Sequence, residues 1–153
     1  MSLSYDVFAG AFLSKITEYN LNELCESNRE ATAVEIVDGY LKRAVSAFRK
    51  NCKYDLAGTC DDNARVFNAD IKVEDQDELV DIISEGMLVQ WLKPYLYQQE
   101  NLELKLNTRD FTTYSPAELL RRVGDAHTRA QKNYIQMIRE YSYNHGDLSR
   151  LHL

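Results

Sequence analysis

Apolar positions along this chain recur mostly at steps of three and four, the period of a helix buried on one side. The fullest run is residues 78–94, ELVDIISEGMLVQWLKP, which also holds the only tryptophan. Leu79, Ile82, Ile83, Gly86 and Met87 keep helical spacing, and Leu88, Trp91, Leu92 and Tyr95 then widen the stripe. A helix apolar over so much of its circumference has to be covered on several sides, so this stretch is expected to be the central helix. It should begin near Asp75, since Asp75, Asp77 and Glu78 suit an N-terminal end where the helix dipole favours negative charge. Pro94 has no N–H to donate and disfavours helix at Lys93, so a kink or break is expected there, with room for helix to resume to about Leu104.

Three further helices follow from the same pattern. Tyr5, Phe8, Phe12 and Ile16 predict a first helix from about Ser4 to Glu18. Residues 20–29 are acidic and polar and read as a loop or short turn. Val34, Val37, Leu41, Ala44 and Phe48 predict a second, over residues 31–50, with Lys42, Arg43 and Arg49 on its wet face. Ser115-Pro116-Ala117-Glu118 carries a capping serine, a proline at the first helical position and a glutamate that completes a capping box. The last helix starts there. It carries Leu119, Leu120, Val123, Ala126, Ala130, Tyr134, Met137, Ile138 and Tyr141 inward, and ends near Asn144 before Gly146. At 1.5 Å per residue it is about 45 Å long, with room to lean on something beyond its own subunit. Residues 51–73 differ, with Gly58, two cysteines and an Asp61-Asp62-Asn63 turn signal. So long a connection is either functional or carries a small hairpin, and the sequence does not choose. The fold expected is all-α: a small bundle of about four helices with long connecting loops, with room for a short β-hairpin in residues 51–73. Residues 1–146 form one domain and residues 147–153 a tail.

Composition narrows the function classes. The chain has 153 residues, 44% hydrophobic and 27% charged, which suits one ordinary globular domain with a real core. A net charge of -6 argues against a general nucleic-acid binder, which needs a basic face. No basic, apolar leader or membrane-spanning run is seen, so a cytosolic protein is expected. Cys25, Cys52 and Cys60 have no CxxC spacing and read as reduced thiols. The charge is uneven. Residues 70–85 hold seven acids against one lysine, whereas the last helix holds Arg121, Arg122, Arg129, Lys132 and Arg139 against three acids. Solvated helix faces explain this, and so does complementary charge between neighbouring copies.

No catalytic motif is present: no glycine-rich phosphate loop, no nucleophile elbow, no metal-ligand set and no cofactor site. Asp125 and His127 are two apart and do not face each other on a helix. His145 lies where a helix end favours a cation and reads as a cap. Glu35-x-x-Asp38 and Glu78-x-x-Asp81, with Glu85 one turn on, have the spacing by which small all-α nucleotide pyrophosphohydrolases hold magnesium. Here the acids flank the apolar stripes, so most are expected to face water. This enzyme remains the alternative reading, beside a cytosolic helical binding protein. In the tail, Leu148, Leu151 and Leu153 either fold back on the chain's own core or dock on another chain.

Over residues 68–148 the chain resembles the neck, or head–tail connector (adaptor), proteins of tailed bacteriophages. The matching features are Asn68-Ala69-Asp70-Ile71 before an acidic helix start, Met87-x-x-x-Trp91-Leu92-x-Pro94, and Asn107-x-x-Asp110-Phe111. They continue with Tyr114-Ser115-Pro116, and with Tyr141-x-Tyr143 followed by Gly146-Asp147. The first half has no such match. The resemblance implies a structural virion protein, not an enzyme: a helical subunit that forms a ring, a dodecamer, under the portal and extends the DNA exit channel. Its partners would be further copies of itself, the portal protein, a downstream neck or tail protein, and passing double-stranded DNA held without sequence readout. It would lie in the virion neck, in host cytoplasm during assembly, and in no membrane. Partner contacts would fall to Asp110, Phe111, Tyr114, Leu148, Arg150, Leu151 and Leu153. The structural core would include Trp91, Met87, Leu92, Pro94, Ser115 and Pro116. A net acidic subunit suits a DNA conduit, because a repelling lumen does not trap DNA. Residues 51–73, residues 97–114 and the tail would supply reach toward neighbours.

Overall fold

The computed structural model describes residues 2–19, 21, 34–97 and 116–145. The described residues build four helices and three two-residue strands: β1 Leu3–Ser4, α1 Tyr5–Glu18, α2 Val34–Phe48, β2 Cys60–Asp61, β3 Val66–Phe67, α3 Val73–Tyr97 and α4 Pro116–His145. The protein is mostly helical, with a small antiparallel sheet to one side.

Serine 4 serves two elements. It is the second residue of β1, and its extended backbone lets its Oγ accept the Asp6 N–H at 3.2 Å, which caps α1. From there Tyr5, Phe8, Phe12 and Ile16 face inward and are all buried, as their spacing predicts. In α2 the buried set is Val37, Leu41, Ala44, Val45 and Phe48.

The central helix is α3. Every residue from Ile82 to Val89 is buried, because α1, α2 and α4 all pack against it. An unbroken buried run of eight is what a helix shows when partners surround it. Trp91, Met87 and Leu92 are fully buried, and Pro94 is half-buried. The Trp91 ring meets Phe12 of α1 edge-on at 5.8 Å between centroids, so the first helix covers it on this side. Of the kink or break expected at Lys93, the break does not occur. Helix continues through Pro94 to Tyr97 and begins at Val73, two residues before the acids that marked its start. One proline removes a single hydrogen bond near a helix end. Burial of Trp91 and Leu92 on one side of it and packing of Leu96 on the other outweigh that loss.

Helix α4 runs antiparallel to α3. Its last residue, His145, reaches Glu78 near the start of α3, and Gly124 lies beside Leu96 at the other end. Midway, the Tyr134 ring lies over Gly86, so close that a Cβ there would stand 2.9 Å from Cε2. Gly86 is therefore where the two helices come together.

Residues 51–73 do carry a hairpin. In it β2 pairs with β3, Cys60 opposite Phe67 and Asp61 opposite Val66. The Asp61 carboxylate accepts the N–H groups of Asn63 and Ala64, both at 3.1 Å, and so forms the turn. What the periodicity did not show is β1, which adds to the other edge with Leu3 opposite Phe67. Phe67 is buried against Tyr5 and Phe8, at 4.8 and 5.5 Å between ring centroids.

Candidate functional site

Two charged side chains occupy positions in the buried registers of their helices. Lys15 lies seven residues after Phe8 and three after Phe12, and Glu85 lies three after Ile82. Their side chains are 11% and 4% exposed. Lys15 Nζ lies 2.9 Å from Glu85 Oε2 and 2.7 Å from Asp81 Oδ1. The Tyr19 hydroxyl donates to Glu85 Oε1 at 2.6 Å and accepts from Asn133 Nδ2 at 2.9 Å. The Arg129 guanidinium lies 5.0 Å from the Tyr19 ring centre. Lys15, Tyr19, Glu85, Arg129 and Asn133 line a cleft of about 360 Å³ between α1, α3 and α4, edged by Glu18, Gln136 and Glu140. Burial, then the hydrogen bond to Glu85, push the Tyr19 hydroxyl up to about 12. Burial pulls the Lys15 ammonium down, but its bonds to Asp81 and Glu85 outweigh this and hold it above the ordinary lysine value. The network turns inward. It binds three helices together through charges that none of them could bury alone.

A second polar assembly locks the hairpin to the bundle. Arg65 has φ 56°, in the left-handed region that a branched or long side chain seldom adopts, and its backbone O accepts the Tyr5 N–H at 2.9 Å. Its guanidinium grips Asp38 of α2 with two bonds, at 2.8 and 2.9 Å, and Asp6 of α1 with a third at 2.8 Å. Asp62 joins the Tyr5 hydroxyl and Lys42. Residues 51–73, expected to reach toward neighbours, are instead held against their own helices at several points. Cys52 is half-buried and Cys60 exposed, both as free thiols.

Three of the four carboxylates of the two ExxD pairs go to separate partners, and Glu35 is exposed. Asp38 goes to Arg65, Asp81 to Lys15 and Glu78 to the His145 Nε2 at 3.2 Å. Glu85 does not face water as expected, because its register on α3 turns it inward. Among the described residues the only group of three potential metal ligands is Asp75, Glu78 and His145, which takes one member of one ExxD pair. His145, expected as a cap, pairs sideways with the central helix.

Of the positions singled out by the phage resemblance, Asp110, Phe111, Tyr114, Ser115, Leu148, Arg150, Leu151 and Leu153 lie outside the described residues. Pro116 opens α4 where the capping signal places it. The feature of α4 that the pattern left open is its outer face. Arg121, Lys132 and Arg139 are exposed there, with Ile135 43% and Tyr143 77% exposed. A shallow depression of about 400 Å³ runs between Thr128, Gln131, Lys132, Ile135, Gln136 and Arg139. Exposed Glu74 and Asp77 give the start of α3 the opposite sign. Among the described residues no helix is long and apolar enough to cross a membrane.

Comparison of the chain with family models, curated proteins and solved structures gave no match.

Proposed function

We propose that this chain is a structural subunit of a ring at the head–tail junction of a tailed bacteriophage, seated between portal and tail and surrounding the DNA exit channel. The observation that carries the reading is the outer face of α4, a helix of 30 residues. Its inner side is spent on α3, while its outer side keeps cations and two large apolar groups in the open. A closed ring needs one surface that fits a different surface of the next copy. The basic outer face of α4 and the acidic start of α3 supply two surfaces of opposite sign on one subunit, which favours head-to-tail contact. The order of motifs over residues 68–148 supports the same reading. The alternative of a magnesium-dependent pyrophosphohydrolase draws less support, since Asp38 and Asp81 are each taken by a cation of the chain itself.

The test uses DNA-filled particles that carry a portal and lack a neck. The full chain should cosediment with them and appear as rings at the portal by electron microscopy. Reversing the charge at Lys132 and Arg139 together should leave the helical circular dichroism intact and abolish attachment, and so should removal of residues 147–153. A folded chain that ignores such particles, or hydrolyses nucleoside triphosphates with magnesium and loses that activity in Asp81→Asn, would overturn the proposal.

A further inference from the structure

The two buried acids among the described residues are treated differently. Glu85 has Lys15, whereas Asp75, only 6% exposed, has no lysine or arginine paired with it among the described residues. Its side-chain hydrogen bond among the described residues comes from the Tyr54 hydroxyl, which is neutral and donates to Oδ2. A carboxylate taken out of water needs compensating charge. The N-terminal end of α3 offsets part of it. Glu78 follows one turn later on the same side of α3 and adds a second negative charge. Facing both is His145, the last residue of α4. One ligand atom from each of the three lies within 4.8 Å of the others.

We propose that Asp75, Glu78 and His145 bind one divalent first-row transition-metal ion. The donor set, one imidazole nitrogen and two carboxylate oxygens, suits zinc or manganese better than magnesium or calcium, which prefer oxygen alone. Two ligand atoms on a tetrahedral ion with bonds near 2.1 Å stand about 3.4 Å apart. The His145 Nε2 and Glu78 Oε2, at 3.2 Å, already match this spacing, and a carboxylate oxygen of Asp75 lies within 4.8 Å of both.

The surroundings fit a metal centre as well. The His145 ring stacks on Tyr141 at 4.4 Å between centroids, and Tyr141 is itself fixed where its hydroxyl accepts the Lys53 N–H at 3.0 Å. Tyr54 holds Asp75 from behind. Outer partners of this kind orient metal ligands and set their affinity. A bound ion would pin the end of the last helix to the start of the central one. The proposal stands apart from the connector reading, and particle attachment is not its readout.

The experiment uses the full chain, stripped with chelator and titrated with zinc by calorimetry and with cobalt(II) by visible absorption. The expected result is one ion per chain and a cobalt spectrum of low-coordinate type. Glu78→Gln and His145→Gln should each weaken binding at least tenfold, and Tyr54→Phe by about tenfold through the outer partner. Glu74→Gln, one residue from Asp75 but exposed, should change nothing. Where a variant fails to fold, the cobalt spectrum and the perturbed His145 imidazole resonances of the unaltered chain decide the matter. Absence of stoichiometric binding, or an equal loss in Glu74→Gln and Glu78→Gln, would overturn the proposal and leave only general attraction to an acidic helix start.

Discussion

Replacing Lys15 by methionine keeps the length and apolar stem of the side chain and removes its charge. The magnitude follows from what is left behind. Asp81 is 56% exposed and simply returns to water, so its half of the network is worth less than about 1 kcal/mol. Glu85 is 4% exposed and loses its only cation among the described residues. Breaking a buried pair from one side costs about 3–5 kcal/mol, because a charge is stranded in a medium that solvates it badly. Glu85→Gln should cost less, about 1–2 kcal/mol, since Lys15 keeps Asp81 and the amide can still accept the Tyr19 hydroxyl. The decisive variant is the double one, Lys15→Met with Glu85→Met. It removes both charges, leaves Tyr19 with Asn133, and fills the site with apolar groups. It should lie within about 1 kcal/mol of the parent or above it, as such replacements often do.

Guanidinium unfolding followed by circular dichroism measures this, with an unchanged slope as the sign that only stability moved. The same variants make a statement about pH. Lys15 and Tyr19 both titrate higher when folded than unfolded. A proton held more tightly by the folded chain stabilises it below the unfolded pKa, and that gain is lost as pH rises through the folded value. The parent should therefore be insensitive to these two groups through neutral pH and weaken from about pH 10 upward, through the Tyr19 value of about 12. The double variant should show a shallower alkaline decline. If Lys15→Met costs under 1 kcal/mol, or if the double variant is as unstable as Lys15→Met alone, the pair is not a buried one and the account of the cleft fails.

Two further variants probe the helices themselves. Trp91→Ala should cost about 3–5 kcal/mol in the same unfolding assay, since it empties a fully buried site against Phe12, and a melting point within a degree of the parent would refute that packing. Gly10→Ala, at an exposed site of α1 where an added Cβ meets nothing within 4 Å, should raise stability by about 0.5–1 kcal/mol, and a loss would show that something covers this face.

The helices were legible because their signal is local. The α1 pattern of Tyr5, Phe8, Phe12 and Ile16 needs no knowledge of the rest of the chain, and neither does the proline at the first position of α4. The polar networks were not legible, because a charge names its partner only in three dimensions. Even so, a trace existed. Lys15 stands in the apolar register of α1 and Glu85 in that of α3, so each breaks the pattern of its own helix with opposite sign. Reading the two exceptions together would have paired the helices. The Asp75, Glu78 and His145 group has half a trace, because the i, i+3 acids are local while His145 comes from 67 residues beyond Glu78. β1 left none, since two residues carry no periodicity, and what places them is the burial of Phe67 under Tyr5 and Phe8.

The hairpin constrains how a ring could be built. Strands of two residues have no stability alone, and a hairpin needs a third strand or a helix to stand on. Here it has both: β1 on its edge, and the Arg65 fork that ties it to α1 and α2 through Asp6 and Asp38. The left-handed backbone at Arg65 costs about 1 kcal/mol or more. It persists because three charge-assisted bonds hold the side chain and the Tyr5 N–H holds the carbonyl. A segment so tied cannot also swing out to a neighbour without giving up those bonds together. The hairpin therefore belongs to the rigid body of the subunit, where it closes the end of the bundle at which α1 begins. In the proposed ring, the hairpin would therefore meet a neighbour only through the surface it already presents, not by swinging out.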